Sequence, residues 1–117
     1  MKIKETKYIV LVPEPIDFDK LHNSDGYFYG TGYLGLKLSD NISCLKSFQS
    51  DYHKNILSEF TLYKTKELAL AAIKKAFNFV KEATGKYING LPIKTYIDYL
   101  NKLDVFEVEI THQIKGI

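Results

Sequence analysis

Apolar residues recur every third or fourth position along TKELALAAIKKAFNFVKEAT, residues 65–84. Leu70, Ile73, Phe77 and Val80 form one stripe, widened by Ala69, Ala72, Ala76 and Phe79. Glu67, Lys74, Lys75, Asn78, Lys81 and Glu82 gather opposite, the separation expected of an amphipathic helix with a flat, broad apolar face. Thr65 is placed to cap its N-terminus and Gly85 to end it. A second, shorter helix is expected over about 92–102, where Ile93, Ile97 and Leu100 are spaced by four and three and Pro92 suits a first helical position.

The period changes to two at VFEVEITHQI, residues 105–114. Phe106, Val108, Ile110 and Ile114 alternate with Glu107, Glu109, Thr111 and Gln113, as in a strand with one dry and one wet face. His112 shares the apolar parity, which predicts an imidazole at the edge of the core. KYIVLV (7–12) reads as a strand stopped by Pro13 and Pro15, and FTLY (60–63) as another leading into the long helix. Residues 39–59 are ambiguous, since Ile42, Leu45, Phe48 and Tyr52 permit a helix that the Ser and Asn content opposes. The pattern predicts one α+β domain over 1–117, with an antiparallel sheet of about four strands and the long helix packed on it.

GTGYLG, residues 30–35, has the spacing of nucleotide-binding glycine loops. A dinucleotide turn needs a helix opening at the third glycine, because helix N-terminal amides hold the pyrophosphate. Leu36 to Asn41 instead alternate and then turn. A kinase-type loop lacks its catalytic lysine, its catalytic loop and its metal-binding motif. The glycines therefore predict a bulged or tightly turned hairpin and no nucleotide.

With 117 residues, 45% of them hydrophobic and 26% charged, the chain has enough core to fold without staples. No run is long and apolar enough to span a bilayer and no signal peptide is expected at the N-terminus. The single cysteine, Cys44, excludes an intramolecular disulfide and fits a cytoplasmic setting. All 16 basic residues are lysine, so bidentate guanidinium readout of bases or phosphates is absent. The net charge of +2 also argues against an acidic nucleic-acid mimic.

Candidate chemistry is sparse. Asn23-Ser24-Asp25-Gly26 resembles part of a calcium loop but lacks that loop's first carboxylate and terminal glutamate, so it reads as a turn. His22, His53 and His112 have no metal-ligand spacing, and no cofactor or metal is expected. Cys44 reads as a small buried hydrophobe, although a thiolate pair with His53 or His112 is the enzymatic alternative. The aromatic cluster is the strongest surface feature. Tyr27, Phe28, Tyr29 and Tyr33, with Leu34 and Lys37, make a hairpin suited to an interface, since tyrosine supplies contact area at low entropic cost. The same rings with lysines could stack and neutralise single-stranded nucleic acid.

The order of a K-Y-I-V strand, a G-Y-F-Y hairpin, F-T-L-Y-K-T-K-E-L-A running into a helix and a closing V-F-E-V-E-I resembles small proteins encoded by phages and mobile elements of low-GC bacteria. The group is functionally mixed and includes anti-CRISPR inhibitors. The resemblance implies a non-enzymatic protein that binds and inhibits a host or defence component. It transfers no catalytic residue.

Overall fold

The computed structural model describes residues 1–20, 30–48 and 56–116. Strand β1 (Lys2–Leu11) is followed by the short β2 (Ile16–Asp17), a 3-10 turn (Phe18–Lys20), β3 (Thr31–Ser39) and β4 (Ile42–Phe48). Then come α1 (Ile56–Glu59), α2 (Lys66–Glu82), the small hairpin β5 (Tyr87–Ile88) and β6 (Leu91–Pro92), α3 (Ile93–Asn101) and β7 (Asp104–Gln113). The α+β class holds, with five strands in the main sheet and β5–β6 forming a separate two-stranded one.

All pairing in the sheet is antiparallel. β4 lies on one side of β3 from Tyr33↔Phe48 to Ser39↔Ile42. On its other side β3 meets β1 at Leu11↔Gly35 and β2 at Ile16↔Gly32. Pro13 and Pro15 explain the break between β1 and β2, because proline donates nothing to a ladder. β7 pairs with the far side of β1 over ten residues, from Lys2↔Gln113 to Leu11↔Asp104.

Beyond Leu11 and Gly35, β1 and β3 diverge, and the FTLY segment fills the wedge. Thr61 N–H donates to Leu36 O on β3 (3.2 Å), while Tyr63 exchanges two bonds with Tyr8 on β1 (2.9 and 2.8 Å). FTLY thus forms one isolated bridge and not the regular strand its pattern suggests. The backbone groups left by the divergence are satisfied at the same time.

Alternation along the strands divides the sheet into two faces. Val10, Leu34, Leu36, Leu45 and Val105 face α2 and α3 and form the main core with Ala69, Ala72, Ala76, Val80, Tyr96 and Leu100. Ile9, Phe48 and Phe60, with Leu11, Leu57, Leu62, Phe106 and Val108 against them, form a smaller cluster on the opposite face.

In α2 the fully seated residues are Ala69, Ala72, Ala76 and Val80, whereas Leu70 stays half exposed. Small side chains on the seam let the helix backbone approach the sheet, and the long leucines fall to the flanks. Thr65 Oγ1 accepts from Leu68 N at 3.1 Å, the expected cap. The helix stops at Ala83, which turns extended (φ −70, ψ 130), so Gly85 is not its terminator. In α3, Pro92 sits at the N-cap and Tyr96 and Tyr99 join Leu100 in the core.

Within the ambiguous stretch 39–59, residues 42–48 form β4 and 56–59 the short α1, while 49–55 lie outside the described residues. Asp40 and Asn41 both take positive φ (50 and 65), the requirement of a two-residue turn whose twist matches its strands. The β5–β6 hairpin turns in the same way at Asn89 and Gly90.

The molecule measures 56 × 31 × 23 Å. Its length comes from the outer half of the β1–β7 ribbon, which runs beyond the core and leaves Met1, Ile3 and Ile114 exposed.

Candidate protein-interaction surface

The described residues on either side of the aromatic segment are hydrogen-bonded to each other. Phe18, 1% exposed, plugs the main core, and its N–H donates to Gly30 O (2.8 Å). Asp19 Oδ1 accepts from Gly30 N at 3.0 Å, and Asp17 Oδ1 accepts from Asp19 N at 3.1 Å. Gly30 needs its freedom here, with φ at 67. Phe18 and Asp19 are therefore tied to Gly30 at the rim of the sheet. Tyr27, Phe28 and Tyr29 lie outside the described residues, as do His22, His53, Tyr52 and the Asn23–Gly26 segment.

From Gly30 the chain enters β3, and the remaining interface candidates separate by parity. Tyr33 and Lys37 are half-buried on the face turned away from α2, across from Phe48 and Cys44 respectively. Leu34 points the other way and is 0% exposed in the main core. Leu34 is thus removed from the contact surface: strand alternation places it beneath, where it anchors the strand that displays Tyr33.

Gly32 and Gly35 are not a turn. Both lie inside β3, which stays extended to Ser39 before the turn at Asp40-Asn41, and no helix follows Leu34. The turn expected at Gly32 and Gly35 is therefore corrected to extended strand, while Gly30 keeps a positive φ at its entry and residues 27–29 lie outside the described residues. Gly35 is required for close approach instead. A Cβ there would lie 2.6 Å from Phe60 Cδ1 and 2.7 Å from Leu11 Cδ2.

The same face carries Lys46, whose Nζ is 2.8 Å from Glu59 Oε2 and ties β4 to α1. Cys44 Sγ donates to Lys37 O at 3.8 Å, and burial pushes its thiol up despite Lys46 nearby. A raised thiol pKa disfavours the thiolate that nucleophilic chemistry needs.

His112 is not at the edge of the core. It lies on the exposed part of the ribbon with Nε2 3.6 Å from Glu5 Oε2. The Lys7 side chain, 3.0 Å away, hydrogen-bonds Glu5 and holds its carboxyl below the ordinary range. Two strands, β3 and β1, separate Cys44 on β4 from His112 on β7, so the sheet does not assemble that pair.

An open cleft of about 230 Å³ lies between the start of β4 and α2, lined by Ile42, Ser43, Lys75, Phe79 and Glu82 among others. It brings Lys75, read from sequence as part of a solvated stripe, beside the buried Ser43. One cation and one carboxylate on an exposed helix flank do not constitute an acid–base pair positioned on a nucleophile. Among the described residues, no group of three or more His, Cys, Asp or Glu side chains could hold a metal ion, and no helix is long and apolar enough to cross a membrane.

Sequence reasoning missed the Asp19 clamp and the β4 edge contact, in which Leu45 N donates to Tyr96 Oη at 2.9 Å. Both join residues distant along the chain. The β5–β6 hairpin did have a local signal, the Asn89-Gly90 dipeptide. No family model, no curated protein and no solved structure matches the chain.

Proposed function

We propose that this chain is a non-enzymatic protein-binding module, a phage or mobile-element protein that acts in the cytoplasm by binding and inhibiting a host or defence component of the CRISPR type. Its contact residues are Tyr27, Phe28 and Tyr29 of the sequence together with Tyr33 and Lys37 on β3.

One observation carries this reading: Tyr33 and Lys37 share the face of β3 opposite α2, and the start of that strand is fixed by the hydrogen bonds of Phe18 and Asp19 to Gly30. A half-exposed ring on a strand whose other face is locked into the core is pre-ordered, so less entropy is lost when a partner covers it. Tyrosine and lysine four residues apart on one strand face also support a second reading, a single-stranded nucleic-acid binder in which the ring stacks a base and the ammonium meets phosphate.

Salt separates the two. Phosphate contacts release counterions, so nucleic-acid affinity falls steeply as salt rises. Mobility shifts with single-stranded DNA and RNA at low and moderate salt test this directly. A salt-sensitive complex lost in Tyr33→Ala supports the second reading, whereas no complex at low salt leaves the protein-binding reading in place.

A further inference from the structure

The two outer edges of the main sheet end differently. On β4 the edge is closed at mid-strand, because Leu45 N–H donates to the buried Tyr96 Oη. β7, at the opposite edge, pairs among the described residues only with β1.

The phase of that pairing fixes which groups of β7 face outward. Ile114 N donates to Met1 O (2.8 Å) and Met1 N to Ile114 O (3.3 Å), a reciprocally bonded pair. Bonded and non-bonded pairs alternate in an antiparallel ladder. Phe106, Val108, Ile110 and His112 therefore bond inward to β1, and the backbone groups of Glu107, Glu109, Thr111 and Gln113 point outward. Tyr8 agrees from the other strand, since both of its groups turn away from β7 to Tyr63. Val105 N–H also points outward and is taken by Asp104 Oδ1 at 2.9 Å. Beyond it, no described residue meets the outward row.

Exposed strand edges are usually blunted by proline, bulges or charged side chains, lysine above all. From Asp104 to Gln113 β7 has no proline, bulge or lysine, and its charges are the carboxylates Asp104, Glu107 and Glu109, which a cationic strand would neutralise. It carries Glu107 and Glu109 on one face and Phe106, Val108 and Ile110 on the other. We propose that the outer edge of β7 is a strand-addition site for an extended segment of a partner protein in which basic and aliphatic residues alternate.

β1 shows the chemistry that β7 accepts. Lys4 lies 3.4 Å from Glu109 on the acidic face, and Ile9 sits across from Phe106 on the apolar one. A strand on the outer side meets the same two rows, and Glu107 has no ion pair among the described residues. A second copy of this chain paired antiparallel about Val108 would place Glu107 opposite Glu109, and like charges directly opposed destabilise a ladder, whereas a basic and aliphatic segment meets both carboxylates with opposite charge. The site is separate from the Tyr33 surface, so either can fail alone.

The test is a titration of the isotope-labelled chain with a synthetic octapeptide alternating Lys and Val, followed by amide NMR and hydrogen exchange. Saturable shifts at Glu107, Glu109, Thr111 and Gln113, with their exchange slowed at least tenfold, are expected. Thr111→Pro, which removes one outward N–H and leaves the β1 ladder intact, should weaken binding at least tenfold. Glu107→Lys with Glu109→Lys should shift preference to a Glu/Val peptide. The proposal is overturned if β7 shows no saturable response, or if a block-ordered peptide of the same composition binds equally. It is also overturned if the outward amides of the free chain are already protected in a concentration-dependent way, which would make the occupant a second copy.

Discussion

Phe60 lies over Gly35 so closely that no side chain fits between them: a Cβ at residue 35 would sit 2.6 Å from the ring. This contact joins the FTLY segment to β3 at the point where β1 and β3 meet, and Phe60 continues edge-to-face onto Phe48 with ring centroids 6.4 Å apart. Gly35→Ala is expected to destabilise the fold by about 1–3 kcal/mol, the usual cost of overpacking. Chemical denaturation measures it, and Phe60→Leu in the same chain should recover part of the loss by opening the space.

Tyr96→Phe should cost about 1–3 kcal/mol, because it leaves the Leu45 N–H without its acceptor in a buried setting. Urea unfolding with an unchanged m-value would locate the effect in stability. A neutral result would mean that water reaches this edge of β4.

Tyr63 Oη is buried without a hydrogen bond of good geometry among the described residues. The hydroxyls of Thr61 and Ser43 are close enough to favour its ionised form, but burial dominates, raising the phenol pKa. A phenol whose folded pKa is raised is held neutral by the fold. Its stabilising contribution is whole below the unfolded value near 10 and is lost as pH climbs above it. Tyr63→Phe should leave stability at neutral pH unchanged or improved and should flatten the alkaline decline seen in thermal melts.

In α2, Ala76→Leu should be destabilising by about 1–3 kcal/mol, since it overfills the helix–sheet seam. Leu70→Ala should shift stability by only about 0.5 kcal/mol, as expected of a surface change. Parallel denaturation of the two variants checks whether the alanine row carries the packing.

The contrast between Ala76 and Leu70 shows what the chain made legible. Helical period located α2 and α3 within a residue or two, and strand period located β7 and the inner half of β1. Hydrophobicity alone ranked Leu70 above the alanines, because closeness of approach is set by the facing sheet and not by the helix's own pattern. The glycine spacing misled in a related way: Gly35 is small for Phe60, which is 25 positions away, and no local rule signals that. β4 was obscured because Ser43, Ser47 and Lys46 dilute an alternation that tertiary partners complete, among them Tyr96 and Glu59. At the candidate surface, Tyr33 and Lys37 follow from alternation, whereas the same alternation buries Leu34, which the hairpin expectation had placed outside.

The measurement that bears most directly on the protein-binding reading is affinity capture with the intact chain, run beside a Tyr33→Ala, Lys37→Glu variant of verified fold and repeated after nuclease treatment. The account predicts one discrete protein partner that survives nuclease and is retained at least tenfold less by the variant. A partner released by nuclease, or captured equally by the variant, would contradict it.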